Sequence, residues 1–189
     1  MLKNIAVFCG ASNGRGDKYL KASYELGCKL GRAGLNMVYG GAKVGTMGAV
    51  ASGALENDSE VTGVFPKGFE GHCVHAFELK DLIADDLHEL IYTEGFFDRV
   101  SKMMELSDAC IVCPGGIGTL HELLSYTLYT QLRYQNKPVF VYNLDGYYDD
   151  LKAMLDKVVE EEFMTARDRT HVTFCSSADE LIEAVLSYN

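Results

Sequence analysis

The fold prediction for this 189-residue chain starts from the segment Pro114-Gly115-Gly116-Ile117-Gly118-Thr119-Leu120-His121-Glu122. An apolar run at 109–113 precedes the segment and a helical pattern at 120–132 follows it. A strand, a glycine turn and a helix start are therefore expected in succession. Glycines let the backbone bend tightly and approach a ligand without interference from a Cβ atom. The pattern predicts Thr119 as the helix N-cap, with Glu122 three residues later as in a capping box.

The same segment predicts an anion site with an ionisable group beside it. Free backbone amides at a helix start, together with the helix dipole, attract a phosphate. The residues that would supply these amides and one hydroxyl are Gly115, Gly116, Gly118 and Thr119. Glu122 lies one turn inside the helix, so its carboxylate is expected near whatever the phosphate carries. The segment thus predicts a phosphate cradle with an acid or base next to it.

Composition limits the classes of partner. With 48% apolar and 23% charged residues the chain is typical of a globular protein, and its length suits a single domain over 1–189. The net charge of −10 argues against a nucleic-acid polymer as partner, because such a surface is basic. No apolar run reaches about 18 residues, so no membrane span is expected. The N-terminus runs directly into a strand pattern, without a signal-peptide layout, and a cytoplasmic location is expected.

Cysteines and histidines do not indicate a metal site. Of the six cysteines, four lie in apolar strand-like runs, where buried free thiols in a reducing compartment are expected. Cys110 and Cys113 form a C-x-x-C pair, but residues three apart in a strand point to opposite faces and cannot easily share a metal. The spacing of His72, His75 and His88 matches no metal motif, so solvated loop residues are expected there.

Apolar runs and helical patterns alternate about seven times along the chain. Strands are predicted at 5–9, 35–39, 61–65, 89–94, 109–113, 138–142 and 171–175. Helices are predicted at 17–32, 45–56, 96–106, 120–132 and 147–161 and after Ser177, with a charged loop at 167–169. This alternation predicts a doubly wound, Rossmann-like α/β fold with a mostly parallel sheet of about seven strands and helices on both faces.

Loops from distant parts of the chain are expected to meet at one edge of this sheet. In open parallel sheets, ligands bind at the carboxyl ends of the strands, where the strand order reverses. The loops that should open there are those at 10–16, 40–46, 94–99 and 113–119. Ser12, Gly41 and Gly45 are therefore predicted to contact a ligand, and Arg99 is expected to converge with them.

Structural alternatives exist for two of these predictions. The glycines that would equally permit tight strand–helix packing are Gly41, Gly45 and Gly48. Arg99 would instead be a surface arginine paired with Asp98 or Glu105. The glycine spacing fits a dinucleotide fingerprint only in part, and the strand at 61–65 lacks the acidic residue that such a site requires at its end. A dinucleotide cofactor is therefore not expected.

The nine-residue segment resembles the P-G-G-x-G-T-x-x-E signature of the LOG, or "lonely guy", family. The similarity covers nearly the whole chain up to about Met164. Further matching segments are 7–12, 38–41, 44–48, 66–67, 107–109, 137–139 and 145–148. The resemblance implies a phosphoribohydrolase, which hydrolyses the N-glycosidic bond of a nucleoside 5′-monophosphate to free base and ribose 5-phosphate. The family favours N6-modified adenosine monophosphates, the cytokinin precursors, and some members act on AMP.

The resemblance also implies roles for individual residues. It makes Arg99 and Glu122 the catalytic pair and places substrate contacts at Asp81 and Thr127. A departure lies beside the arginine, where the family's M-H-E-R-K reads Phe-Phe-Asp-Arg-Val at 96–100. The missing lysine, at Val100, is expected to weaken phosphate or ribose contacts, since a lysine–phosphate pair is a charge-assisted bond.

The implied chemistry suits these residue types. Cleavage of the C1′–N9 bond builds positive charge on the ribose ring. The Glu122 carboxylate can stabilise that charge and orient or deprotonate the attacking water, while Arg99 holds phosphate or assists the leaving base. No metal or other cofactor is needed. The label "lysine decarboxylase-like", which the family often carries, would require a Schiff-base lysine with a pyridoxal site, for which Lys43 is the one candidate.

Two other functions stay open at this stage. The first is a non-catalytic nucleotide-binding or carrier protein in which Glu122 merely caps its helix. The second is a dinucleotide-dependent oxidoreductase. If the protein is the hydrolase, its expected small-molecule partners are nucleoside 5′-monophosphates, namely AMP or N6-modified AMP.

The helix after the signature carries more apolar surface than one core face needs. Its inward residues are predicted as Leu120, Leu123 and Leu124, and its further apolar residues are Tyr126, Leu128, Tyr129, Leu132 and Tyr134. This surplus predicts a homodimer built partly on the helix, and family members are similarly dimeric. The alternative is a fully buried helix.

Overall fold

The secondary structure alternates between strands and helices from the first residues onward. The computed structural model describes residues 2–67 and 83–188. The described strands are β1 Asn4–Phe8, β2 Asn36–Tyr39, β3 Val61–Pro66, β4 Glu89–Thr93, β5 Ala109–Val112, β6 Val139–Tyr142 and β7 Val172–Cys175. The described helices are α1 Lys18–Arg32, α2 Gly45–Leu55, α3 Phe96–Leu106, α4 Ile117–Gln131, α5 Asp149–Glu160, α6 Ala166–Arg169 and α7 Ala178–Ser187, with a 3-10 turn at Leu144–Gly146.

The seven strands form one sheet in the order β4-β3-β2-β1-β5-β6-β7, and each neighbouring pair is parallel. The chain moves outward from β1 through β2 and β3 to β4. It then returns to the other side of β1 as β5, so the strand order reverses at β1. The connections that follow β1 and β5 therefore diverge and leave a crevice at the carboxyl edge of the sheet. The predicted doubly wound fold is confirmed, and every pairing among the described strands is parallel.

Alternate residues of the central strands bury against opposite helical layers. Ile5 and Val7 of β1 belong to the core that packs under α1, α2 and α7. Ala6 and Phe8 belong to the core under α3, α4 and α5. Burial on both faces explains why these strands read as continuous apolar runs. Each fully buried aliphatic side chain contributes about 1.5–3 kcal/mol of hydrophobic stabilisation, and the sheet is held mainly by this term.

Two glycines let α1 and α2 cross in close contact. A Cβ on Gly53 would overlap the carbonyl oxygen of Tyr24, and a Cβ on Gly27 would overlap that of Val50. The two backbones can therefore approach only because neither position carries a side chain. This crossing fixes the start of α2, which carries Thr46 into the crevice.

Helix α4 differs from the predicted helix in its start and in the residues of its buried face. The helix begins at Ile117 rather than at residue 120. Tyr126 is fully buried and its ring lies edge-on to Phe8 at 6.1 Å, whereas Leu124 is 49% exposed. The prediction that Leu124 points inward was thus wrong. The buried face follows the spacing i, i+3, i+4 from Leu123, which places position 124 on the opposite side of the helix.

Shorter features also test the sequence interpretation. Gly34 follows α1 with a φ of 69°, as expected for a residue just beyond a helix C-terminus. The Ser177 hydroxyl accepts from the amide of Glu180 at 3.2 Å and so caps α7. The predicted charged loop at 167–169 is instead a short helix, whose start is capped by the Thr165 hydroxyl. Over the two described ranges, each helix is too short or too polar to cross a bilayer.

Candidate functional site

A cavity of about 510 Å³ opens at the carboxyl edge of the sheet. This volume lies within the usual range for small-molecule sites. The lining residues fall within the segments 9–14, 40–47, 65–66, 96–99 and 114–122, with Tyr19 and Tyr147 at the side. The four loops that were expected to converge therefore all contribute to one site.

An ion pair between Arg99 and Glu122 forms the wall of this cavity. The Arg99 Nη1 atom donates to Glu122 Oε1 at 2.8 Å, and both side chains are about nine-tenths buried, with exposures of 11% and 7%. Arg99 Nε also donates to the carbonyl of Val64 at 3.0 Å. The alternative of a surface arginine paired with Asp98 or Glu105 was thus wrong. The first turn of α3 points the guanidinium at the sheet edge, toward the second turn of α4.

A glycine makes room for this arginine. A Cβ at Gly40 would overlap Arg99 Nη2. Gly40 directly follows β2 and lines the cavity. Any side chain at this position would displace the guanidinium. Of the two glycines Gly40 and Gly41, it is therefore Gly40 that makes room for the ion pair. The sequence interpretation selected Gly41 and missed Gly40.

Burial controls the protonation of the site's carboxylate. Removal from water raises the pKa of Glu122 above its ordinary value, and the adjacent Arg99 guanidinium offsets part of that rise. A carboxylate held in this way can exchange a proton closer to neutral pH than an exposed glutamate can. The same burial raises the pKa of the Cys9 thiol, with the neighbouring Cys113 adding to the effect. Cys9 therefore stays a neutral thiol at the cavity floor.

The glycine turn after β5 leads into a helix start that has no side-chain cap. Gly116 is the N-cap residue, in an extended conformation, and the backbone carbonyl of Gly116 accepts from Leu120 at 3.1 Å. The prediction of Thr119 as N-cap, with a capping box to Glu122, was wrong. Thr119 is instead the third residue of the helix, and its buried side chain packs against Gly115. The helix starts early because Gly116, with an extended backbone, takes the N-cap position, where glycine is among the preferred residues.

This start of α4 is suited to an anion. Its first amides have no intrahelical partner, as in every helix, and here no side-chain oxygen of the N-cap occupies them. Gly116 and Gly118 have open space where a Cβ would stand. A phosphate can therefore approach the backbone at the positive end of the helix dipole.

The loop after β1 forms another part of the cavity wall and is fixed by Thr46. The Thr46 hydroxyl accepts from the Gly10 amide at 2.8 Å and donates to the Gly10 carbonyl at 3.0 Å. Ser12, a predicted contact, lies two residues on and lines the cavity. The two hydrogen bonds by which the Thr46 hydroxyl anchors Gly10 could not be predicted from sequence, because positions 10 and 46 lie far apart in the chain.

Gly45 supports this wall without lining the cavity. Its φ is 60°, in the left-handed region that glycine tolerates. A Cβ there would overlap the backbone of Ala11. Gly41, with a φ of 76°, also lies outside the lining and packs near Gly63 and Leu90. The packing alternative therefore describes both glycines better than ligand contact does.

Other residues selected from the sequence lie elsewhere. Thr127 is buried, and its hydroxyl donates to the Leu123 carbonyl within α4 at 2.8 Å, outside the lining. Asp81 lies outside the residues that the structure describes, as do His72 and His75. Val100 is buried in the core beneath α3 and does not line the cavity.

Two aromatic side chains in the site were not selected from the sequence. Tyr147 lines the cavity, and its hydroxyl donates to the Gly115 carbonyl at 2.7 Å. Tyr19 packs edge-on to Tyr147, with ring centroids 5.8 Å apart. The matching segment at 145–148 was the available signal for Tyr147, whereas nothing in the pattern of α1 pointed to Tyr19.

The described cysteines do not assemble a metal site. Within 2–67 and 83–188 the cysteines are free and buried, namely Cys9, Cys28, Cys110, Cys113 and Cys175. Among those same residues, no three His, Cys, Asp or Glu side chains are close enough to hold an ion. Cys110 and Cys113 face opposite layers of the core, as expected for residues three apart in a strand.

Comparison with known proteins gives the family. A family model described as "Possible lysine decarboxylase" matches residues 47–185. A cytokinin riboside 5′-monophosphate phosphoribohydrolase of Rhodococcoides fascians is 35% identical over 185 residues, which is 98% of this chain and 90% of that protein. An enzyme of the same name from Arabidopsis thaliana is 34% identical over 186 residues, which is 98% of this chain and 83% of that protein.

Solved structures share the fold at lower identity. A molybdenum cofactor binding protein from Rippkaea orientalis has a TM-score of 0.68 and 23% identity, with 99% of this chain and 97% of that chain covered. The molybdenum cofactor carrier protein of Chlamydomonas reinhardtii has a TM-score of 0.69 and 21% identity, with 98% and 97% covered. These two show a common architecture. From the extent of the family match and the identity to its full-length relatives, the chain belongs to the LOG family, whose model is described as possible lysine decarboxylase.

Proposed function

We propose that this protein is a phosphoribohydrolase that cleaves the N-glycosidic bond of a nucleoside 5′-monophosphate, AMP or an N6-modified AMP. The observation that carries the proposal is that the buried Glu122–Arg99 pair and the uncapped start of α4 share one cavity. Relatives with that activity in their names, about a third identical over nearly the full chain, support it.

The spacing along α4 suits such a substrate. Gly118 and Glu122 are four residues apart on one helix, which is about 6 Å along its axis. This is comparable to the span from a 5′-phosphate to the anomeric carbon of the same ribose. A phosphate at the helix start would thus place C1′ beside the Glu122 carboxylate. In this arrangement the carboxylate stabilises the positive charge on the ribose ring and orients or deprotonates the attacking water.

Arg99 has two roles in this scheme. Its guanidinium favours the ionised form of Glu122 and so offsets part of the rise in pKa that burial causes. Its remaining donor edge, beside Gly40, is available to the phosphate or to the departing base. Ribose 5-phosphate and the free base are the products, and the proton taken from water goes to the leaving nitrogen.

Part of the cavity lining is apolar and suits a base. Its side chains are Val44, Met47, Phe65, Pro66 and Phe96. Apolar and aromatic surfaces bind the faces of a purine ring or an apolar N6 substituent through burial of area. The cavity thus combines a polar glycine lining with apolar side chains, and the phosphate and the base of a nucleotide need one of each.

The direct test is product analysis. The protein is incubated with AMP, N6-isopentenyl-AMP and adenosine, and the free base is measured by chromatography. Release from the two monophosphates, with much slower release from adenosine, is expected because the helix-start amides bind only the phosphate-bearing substrates. No free base from any nucleoside monophosphate in a broader panel would overturn the proposal.

A second candidate is a non-catalytic nucleotide binder. It is favoured by one observation, namely that the carboxylate of Glu122 is paired with Arg99 and that this side chain is 7% exposed. A binder would show a rise in melting temperature with AMP and no release of adenine. A dinucleotide-dependent oxidoreductase would instead show that rise with NAD.

Pyridoxal chemistry does not fit this site. A pyridoxal-dependent decarboxylase needs a lysine that forms a Schiff base. The described residues that line the cavity include no lysine. Lys43, the one candidate from the sequence, forms an ion pair with Asp85 at 2.9 Å and lies outside the lining. The family description therefore gives no guide to the reaction of this chain.

We also propose that the protein forms a homodimer through the outer face of α4. The exposed apolar residues there are Leu124, Leu128 and Tyr129, with Leu132 and Tyr134 directly after the helix. The helix itself contains one charged residue, Glu122, which is buried. Two copies that each carry a net charge of −10 repel unless they meet on an uncharged face. A second copy of the same face satisfies this condition and covers the apolar surface.

A further inference from the structure

Two consecutive tyrosines hold the backbone of the turn between β5 and α4. The Tyr148 hydroxyl donates to the Cys113 carbonyl at 2.7 Å, and the Tyr147 hydroxyl donates to the Gly115 carbonyl at 2.7 Å. Tyr148 is buried in the core, whereas Tyr147 is 45% exposed and lines the cavity. The two hydrogen bonds thus hold the carbonyls of residues 113 and 115 in one short loop. The bond from Tyr147 lies at the cavity.

The bond from Tyr147 has a consequence for the next amide. A trans peptide is planar, so its C=O and N–H point in opposite directions. Fixing the Gly115 carbonyl therefore also fixes the Gly116 N–H at the start of α4. Because Gly116 has no side chain to restrict it, this peptide could otherwise rotate and turn its carbonyl oxygen toward an anion. Such a rotation would replace an attractive dipole by a repulsive one.

The position of Tyr147 is itself well determined. Its ring packs edge-on to Tyr19 at 5.8 Å and to Tyr148 at 4.8 Å. The preceding 3-10 turn is tied to α1 by an ion pair between Lys18 and Asp145 at 2.8 Å. The hydroxyl is therefore directed at the glycine turn by contacts that do not involve the ligand.

We propose that Tyr147 is a positioning residue for phosphate binding, which acts by locking the Gly115–Gly116 peptide in the orientation that presents its amide to the anion. The proposal deepens the proposed function and rests on it for the substrate, a nucleoside 5′-monophosphate. The class of ligand that Tyr147 affects is broader than this substrate, namely any small phosphate bound at the start of α4.

The test compares Tyr147→Phe with a matched control, Tyr24→Phe. Tyr24 is also about two-fifths exposed, at 41%, and its hydroxyl also makes a hydrogen bond, to Glu56 at 2.6 Å, but away from the cavity. Both variants keep the aromatic ring and lose one hydroxyl. We expect Tyr147→Phe to raise KM for AMP about fivefold at nearly constant kcat, because one net hydrogen bond is lost. Tyr24→Phe should leave both constants unchanged.

A second measurement is independent of catalysis. The Kd of inorganic phosphate, by calorimetry, should rise by about the same fivefold factor in Tyr147→Phe and stay constant in Tyr24→Phe. If the parent protein binds phosphate and releases no base, the proposed function fails while this comparison still decides the role of Tyr147. Equal phosphate affinity in the parent and in Tyr147→Phe, or no phosphate binding by the parent, would overturn the inference.

Discussion

Glu122 and Arg99 depend on each other because both are largely removed from water. A buried charge that loses its partner costs about 3–5 kcal/mol, whereas the intact pair is close to neutral for stability. The pair is therefore poor evidence of a stabilising role. Its place on a cavity wall, next to the uncapped start of α4, is the reason for the chemical role that we propose. Predictions at this scale should remove the charge of one partner while keeping its hydrogen bond to the other.

Glu122→Gln is expected to lower kcat for base release by at least about 100-fold, since the carboxylate that handles the attacking water is lost. The amide oxygen can still accept from Arg99, so the fold should be retained. Phosphate should bind with unchanged Kd, because the amides at the start of α4 are not altered. Chromatography of the base and calorimetry with inorganic phosphate measure the two effects.

A matched control for this substitution is Glu105→Gln. Glu105 is on α3 and pairs with Lys102 at 2.9 Å, but its side chain is 67% exposed. The loss of a surface ion pair changes stability by less than about 1 kcal/mol and should leave kcat as in the parent. Base release at the parental rate in Glu122→Gln would show that Glu122 has only a structural role.

The pH dependence of kcat follows from the burial of Glu122. Its pKa is raised from the ordinary value of 4.5, and the ionised form is the active one in the proposed mechanism. As the pH falls through this raised pKa, the carboxyl group protonates and kcat declines. The acidic inflection should therefore lie above pH 4.5 when measured at saturating AMP, which removes changes in substrate affinity. A kcat that stays constant down to pH 4.5 is incompatible with this role.

At the scale of elements, the crossing of α1 and α2 depends on the absence of a side chain. Gly53→Ala would place a Cβ against the carbonyl oxygen of Tyr24, and backbone atoms cannot move aside without shifting a helix. The gain in helix propensity from alanine is smaller than this cost. We expect the free energy of unfolding to fall by about 2 kcal/mol. Urea denaturation measures this change in the free energy of unfolding.

Ser52→Ala, one residue earlier and exposed, is the control for Gly53→Ala. It makes a similar exchange within the same helix and should be neutral or slightly stabilising. If Gly53→Ala were as stable as this control, the close crossing of α1 and α2 would not be the reason for the glycine. The substitution also tests the site indirectly, because α2 carries the Thr46 hydroxyl that anchors Gly10.

At the scale of the whole molecule, the uncharged outer face of α4 predicts self-association. Light scattering is expected to give about twice the chain mass of 20.8 kDa. Leu128→Glu would bury like charges at a two-fold contact and should return the mass to that of one chain. Met154→Glu is the control, since Met154 is similarly exposed, at 59%, but lies on α5. A parent protein with the mass of one chain contradicts the dimer.

The sequence alone determined the order of the elements and the class of fold. Apolar runs of four to six residues alternate with amphipathic stretches, and this periodicity reports which faces are buried without reference to distant contacts. It also located the glycine turn at the start of α4, because glycine's freedom is a local property. The resemblance to the LOG family directed attention to Arg99 and Glu122, whose roles remain predictions.

Only the tertiary structure decided which residues meet in the cavity. Arg99 and Glu122 are 23 positions apart, and Thr46 and Gly10 are 36 apart, so no local pattern could pair them. The true start of α4 depended on an extended Gly116 rather than on the best capping side chain in the sequence. Gly41 and Thr127 were selected from the sequence as ligand contacts. In the structure, Gly41 packs near Gly63 and Leu90, and the Thr127 hydroxyl donates to the Leu123 carbonyl. Periodicity fixes what is buried, whereas the partner of each buried polar group is fixed by how the strands are ordered in the sheet.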